Sequence, residues 1–144
     1  MAAAPIDAAL VALLAVVTVS DLRSRVVPDS ALATSLALAI PLLAVADPEG
    51  IPERLIAAAG AAGFLLAAAL IRPAAMGLGD VKLVGVLGIY LGGRVVEALA
   101  VAFALGSLAG LVLLARHGWQ ARRLTIPFAP FLAAGALVAI APQP

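Results

Sequence analysis

Apolar residues fill this chain in long runs, and short polar breaks separate one run from the next. Six such segments can be drawn, at about 4–20, 30–46, 54–72, 81–93, 95–115 and 126–142. Runs of this length, apolar on every side, predict helices whose surroundings are protein or lipid rather than water. Ala, Leu, Val and Gly dominate them, and small residues let helices approach closely within a bilayer. The fourth segment is short. Its span from 81 to 93 covers about 20 Å at ~1.5 Å per residue, against a hydrocarbon core of roughly 30 Å. Asp80, at its start, is therefore expected below the membrane surface, which requires a polar cavity or a protein-lined notch. The pattern predicts an all-α, polytopic membrane fold of about six transmembrane helices, with the short fourth helix following a Gly-x-Gly-Asp loop.

Charge falls in the breaks and is lopsided. Arg23 and Arg25 follow the first segment, Arg72 and Lys82 flank the break after the third, and Arg116, Arg122 and Arg123 follow the fifth. The opposite side carries only Arg54 and Arg94, together with Asp47, Glu49, Glu53 and Glu97. Basic loops stay in the cytoplasm, so both termini are expected outside, and Asp21 and Asp80 fall together at the cytoplasmic face. The first twenty residues hold no Lys or Arg. A removable signal peptide needs a basic start, so the first segment is expected to be a retained helix. Trp119 and Tyr90 lie near expected interfaces, as belt aromatics do.

Composition agrees with this reading. Of the 144 residues, 65% are hydrophobic and only 12% charged, with a mean hydropathy of +1.18. A soluble domain would need a far more polar surface. One membrane-embedded domain spanning 1–144 is expected, with the lipid bilayer as its first partner. A net charge of +1 offers nothing to nucleic acid. The absence of cysteine excludes disulfides and zinc sites built on Cys. His117 reads as an interfacial residue, and no metal or other cofactor is expected.

The remaining chemistry lies in two acids. Asp80 sits in Met76-Gly77-Leu78-Gly79-Asp80-Val81-Lys82-Leu83, and Asp21 ends the first segment in Ser20-Asp21-Leu22-Arg23-Ser24-Arg25. A carboxylate where lipid-spanning segments meet is costly, so it marks function by default. Two like charges held close cannot both ionise, so such a pair shares one proton. The ionised member can then take a proton from water while the protonated one donates to a scissile carbonyl. No metal or nucleophilic side chain is required. Gly77 and Gly79 lack Cβ, which leaves room for positive φ and for close approach of an extended substrate.

Each feature also has a plainer reading. Gly77-Leu78-Gly79 serves equally as a helix-linking turn with Asp80 as N-cap, and Asp29 before Ser30 suits an N-cap as well. Asp21 followed by arginines suits a solvated loop paired with Arg23 or Arg25. Lys82 is placed either to bias Asp80 or to snorkel to the interface. Asp7, Asp47, Glu49, Glu53 and Glu97 read as interfacial or loop charges. Pro127 and Pro130 most simply start a helix.

Taken together, three stretches resemble the type IV prepilin peptidase family, membrane aspartic proteases that include the archaeal preflagellin peptidases. Asp21-Leu22-Arg23-Ser24-Arg25-Val26-Val27-Pro28-Asp29 resembles the segment in which a catalytic Asp precedes an Ile-Pro-Asn-like turn. Gly77-Leu78-Gly79-Asp80-Val81-Lys82-Leu83, with Gly88 following, is similar to the family's Gly-x-Gly-Asp-x-Lys signature. Ile126-Pro127-Phe128-Ala129-Pro130-Phe131-Leu132-Ala133 looks like the Ile-Pro-Phe-Gly-Pro-Phe motif that opens the last helix. The resemblance implies Asp21 and Asp80 as catalytic pair, with Gly77, Gly79 and Lys82 as the supporting loop. It also implies cleavage of a short basic leader from a prepilin or pseudopilin precursor at the cytoplasmic side of the inner membrane.

Asp29 stands where Asn is common, and Ala129 where Gly is frequent. The larger bacterial members carry an N-terminal methylating region with zinc-binding cysteines; this chain resembles the short, peptidase-only form. A presenilin-type intramembrane protease shares Gly-x-Gly-Asp but pairs it with Tyr-Asp, whereas Ser20 precedes Asp21 here. A non-enzymatic transporter or assembly subunit would be expected to show broken helices in both halves; only one break is evident. Oligomeric state is not legible.

Overall fold

Each apolar segment folds into one helix in the computed structural model, which describes residues 3–74 and 76–142. They are α1 Ala3–Ser24, α2 Asp29–Ala46, α3 Ile51–Ile71, α4 Leu78–Leu91, α5 Val95–His117 and α6 Ala129–Ile140. Short 3-10 turns follow α4 (Gly92–Arg94) and α5 (Gly118–Arg123), and no strand occurs among the described residues. The all-helical, six-helix expectation holds. Helices α1, α2 and α3 and the stretch Leu78–Arg123 are long and apolar enough to cross a membrane, whereas α6 is shorter. Their outward faces carry Val45, Ile56, Leu70 and Ile71, all exposed, as a helix bathed in lipid requires.

Of the expected boundaries that move, two touch the acids. Helix α1 continues through Ser24, so Asp21 lies inside its last turn rather than beyond it. Helix α4 begins at Leu78, so Gly79 and Asp80 belong to its first turn. The expected Gly-x-Gly-Asp loop is therefore a helix start, with Gly77 as the N-cap residue and no side chain capping it. Asp80 does not act as N-cap. Neither does Asp29, because α2 is preceded by Pro28 and Asp29 is its first helical residue. Propensity alone misplaces both ends, since hydropathy fades at these positions while the backbone hydrogen bonds continue.

Helix α4 is the axis of the bundle. It contacts α2, α3, α5 and α6, and Leu83, Val84 and Leu87 are fully buried within it. Only a helix apolar on every side can take that place, and α4 has such a sequence. It packs most extensively on α3, as α5 does on α6. Gly88 permits the first pairing: a Cβ there would overlap the backbone of Ala58. Gly135 permits the second in the same way, against the carbonyl of Ala98. At the far end, Gly92 takes a positive φ of 58°, which glycine adopts without penalty, and turns the chain from α4 into α5. Arg54 of α3 seals that end, donating to the carbonyls of Tyr90 (2.6 Å) and Ile89 (3.3 Å) and to Asp47 (3.1 Å).

One buried polar link ties α2 to α4. The Tyr90 hydroxyl donates to the Ser35 carbonyl at 3.0 Å and lies 2.7 Å from Ser35 Oγ. Tyr90 is thus a core residue rather than a belt aromatic. Tyr90→Phe is expected to lower stability by about 1–2 kcal/mol, since a buried carbonyl and hydroxyl lose their partner. Thermal unfolding in detergent checks this; an unchanged midpoint would show that the link contributes nothing.

Candidate active site

The site grows from three helix ends that the bundle brings to one side. At the end of α1, the Arg25 N–H donates to the Asp21 carbonyl at 2.9 Å, while Ser20 Oγ donates to the carbonyl of Val26 at 2.7 Å. Arg25 carries a φ of 54°, a left-handed conformation that costs a non-glycine residue about 1–2 kcal/mol. Val27 precedes Pro28, which disfavours helix at that position, and the chain crosses to α2. Asp21 itself is buried, at 7% exposure.

The second end is the start of α4. Gly77 is extended (φ −79°, ψ 149°), and the Asp80 N–H donates back to its carbonyl at 3.2 Å. An acid in a first helical turn is favoured by the helix dipole. Neither Gly77 nor Gly79 has positive φ; the freedom expected of them is not used. Gly79 matters through space. A Cβ there would sit 3.0 Å from Val27 Cβ, so the first turn of α4 rests on the strand-like link before α2.

The third end is the start of α6. Its first N–H, that of Ala129, has no partner within the helix, as at any helix start. It donates instead to Asp21 Oδ2 at 3.1 Å. Pro130 follows in the first turn, where its missing N–H costs nothing. One oxygen of Asp21 is thereby held in place at the edge of a cavity that Asp21 lines.

That cavity measures about 300 Å³, and Asp21, Asp80, Gly77, Gly79 and Lys82 all line it. Every site residue expected from the sequence is therefore gathered at one end of the bundle. Asp80 is partly buried. Lys82 departs from expectation. Its ammonium lies 3.0 Å from both oxygens of Asp29, so it neutralises Asp29 rather than serving Asp80. On α4, residues two apart point to different faces, and this spacing steers Lys82 away from Asp80.

Asp29 and Arg25 also line the cavity, and sequence reasoning had assigned neither a place there. Asp29 had a signal, as the acid standing where Asn is common. The Ala129 N–H had none, because a backbone donor leaves no mark in residue identity. No group of three His, Cys, Asp or Glu side chains among the described residues is placed to hold a metal ion. What the cavity holds is the material for acid–base chemistry: the carboxyls of Asp21 and Asp80 line it, and the first is anchored by a backbone donor.

The profile of the type IV leader peptidase family matches residues 8–115, a stretch that includes both Asp21 and Asp80. Among curated proteins, the chain is 33% identical over 132 residues to the prepilin leader peptidase/N-methyltransferase of Bacillus subtilis (strain 168). The alignment covers 90% of this chain and 52% of that relative, so the chain spans about half its length. No solved structure matches. A multi-pass helical bundle with the two acids gathered at one end, and a family match running from α1 through most of α5, lead to one conclusion: the chain belongs to the type IV leader peptidase family.

Proposed function

We propose that this protein is a membrane aspartic endopeptidase that removes the short leader from type IV prepilin-like precursors. Asp21 and Asp80 form the catalytic pair. The observation that carries the reading is the single cavity lined by both carboxylates, with Asp21 buried and held by the Ala129 N–H. Water placed between the pair loses a proton to the ionised carboxylate, while the other carboxyl donates to the carbonyl oxygen of the scissile bond. The tetrahedral intermediate collapses as the leaving amine takes up a proton. The two proton transfers belong to the pair rather than to either residue alone.

The basic loops support a cytoplasmic position for this end of the bundle, by the charge rule for membrane topology. The precursor's leader would meet the cavity there, with its apolar helix in the bilayer. The Bacillus subtilis relative is named for both leader peptidase and N-methyltransferase; leader removal alone is proposed for this chain.

The reading is tested by co-expressing a prepilin with wild type, Asp21→Asn and Asp80→Asn and following leader removal. A cut mapped inside the substrate's transmembrane helix would instead favour a general intramembrane protease. Gly79 supplies a second prediction. Gly79→Val is expected to push α4's first turn off Val27 and lower kcat by about 10–100-fold, because small displacements at a reacting group are costly. Membrane insertion should be normal. Wild-type kcat in that variant would show that the Gly79–Val27 contact does not position Asp80.

A further inference from the structure

We infer that Asp29 is a positioning residue for the catalytic pair, acting through its bond to Lys82; the inference rests on the reading just proposed. Three carboxylates, not two, line the cavity: Asp21, Asp29 and Asp80. They differ in what they touch. Asp21 is held by a backbone N–H. Asp80 makes no ion pair with any described residue. Asp29 has its charge matched by Lys82, with both carboxylate oxygens 3.0 Å from the ammonium. Both oxygens of Asp29 are engaged by the ammonium, which sets it apart from the other two acids of the cavity.

The pair joins elements fifty-three residues apart in sequence, the first turn of α2 and the first turn of α4. Two contacts dock the start of α4 on the chain entering α2. One is Gly79 against Val27, and the other is Lys82 to Asp29. Asp80 lies between residues 79 and 82 on the same turn. Its carboxyl keeps a fixed place in the cavity it shares with Asp21 only if the turn does not rotate or slide. Gly79 against Val27 limits the approach, and Lys82 to Asp29 limits the rotation. The acid at position 29, where the resembling family commonly carries Asn, makes this second contact charged and two-pronged.

The side chains are 55% and 72% exposed. An exposed ion pair contributes little to stability, whereas a catalytic carboxyl displaced by an ångström costs about a hundredfold in rate. The two roles therefore separate by experiment. Asp29→Ala is expected to lower kcat for prepilin cleavage by about 10–100-fold, with KM, membrane insertion and the thermal unfolding midpoint unchanged. Asp29→Asn keeps an oxygen acceptor for Lys82 and should stay within about tenfold of wild type. The reversed pair Asp29→Lys with Lys82→Asp should exceed both single variants in kcat.

Wild-type kcat in Asp29→Ala, or a reversed pair no better than its parents, would overturn the inference. So would an Asp29→Asn variant as inactive as Asp21→Asn, since Asp29 would then belong to the reacting acids. If Asp29→Ala fails to insert, Lys82→Gln and the reversed pair carry the test alone. Failure of the underlying function shows separately, as cleavage that persists in Asp21→Asn or Asp80→Asn.

Discussion

Asp21→Asn and Asp80→Asn are each expected to lower leader removal from a co-expressed prepilin by about a thousandfold or more, to the background of the assay. General acid–base catalysis by a placed carboxyl contributes about 10²–10⁴-fold, and residues that act as one unit lose most of that together. Asn is the informative replacement at position 21. Its side-chain oxygen can still accept the Ala129 N–H that now reaches Asp21 Oδ2 at 3.1 Å, so the start of α6 keeps its partner and only the ionisable group is lost. Asp21→Ala would confound the result by leaving a buried N–H unpaired, at a cost of about 1–3 kcal/mol. Asp80 makes no such structural bond through its side chain and is only partly buried, so Asp80→Asn should insert and fold as wild type does. A double variant should be no worse than either single one. If one single variant still processes the precursor at a comparable rate, that residue leaves the mechanism; if both do, the peptidase reading must be rebuilt around other groups.

The second large effect lies away from the chemistry. Gly88→Ala and Gly135→Ala are expected to destabilise the bundle by about 3 kcal/mol or more, the upper range for forcing atoms into a packed interior. At Gly88 the added carbon would overlap the backbone of Ala58, and at Gly135 the carbonyl of Ala98. Backbone cannot rotate away as a side-chain tip can, so the helices must separate. Within a bilayer that separation is not offset by a hydrophobic effect, because helix association there depends on close packing itself. Three other glycines serve as controls. Gly60, Gly63 and Gly110 have nothing within 4 Å of an added Cβ, so Ala at these positions should be neutral or stabilise by up to about 1 kcal/mol through helix propensity. Unfolding midpoints in detergent and steady-state levels in membranes check the contrast. Equal midpoints for Gly88→Ala and Gly60→Ala would refute the packing argument.

Much of the architecture was legible because lipid simplifies the code. A run such as residues 54–72 has one way to satisfy its backbone in hydrocarbon, and that way is a helix. Helix count and the shortness of the fourth helix follow directly. The ends were less legible. Asp21 and Asp80 sit one turn or less inside their helices, and polarity alone marks such residues as loop. The glycines near Asp80 illustrate the same limit. Their identity suggested unusual backbone angles, yet Gly79 is an ordinary helical residue whose missing Cβ is required by Val27. A steric need set by a residue in another helix is invisible along the chain.

The candidate site divides the same way. The acids, their order and the motif around each stand in the sequence, and so does the charge asymmetry that puts them on one face. Pairing is different. Lys82 stands two residues from Asp80 in the chain, yet bonds Asp29, which is fifty-three residues away. Asp21 finds its anchor in the backbone of Ala129, at a separation of 108 residues. By itself the sequence determined a six-helix membrane protein with two acids at one end, because hydropathy, charge and helix length are local quantities. The tertiary structure alone decided which acid is anchored and which is paired with a cation, because hydrogen bonds and steric contacts depend on distances that only the packed bundle sets.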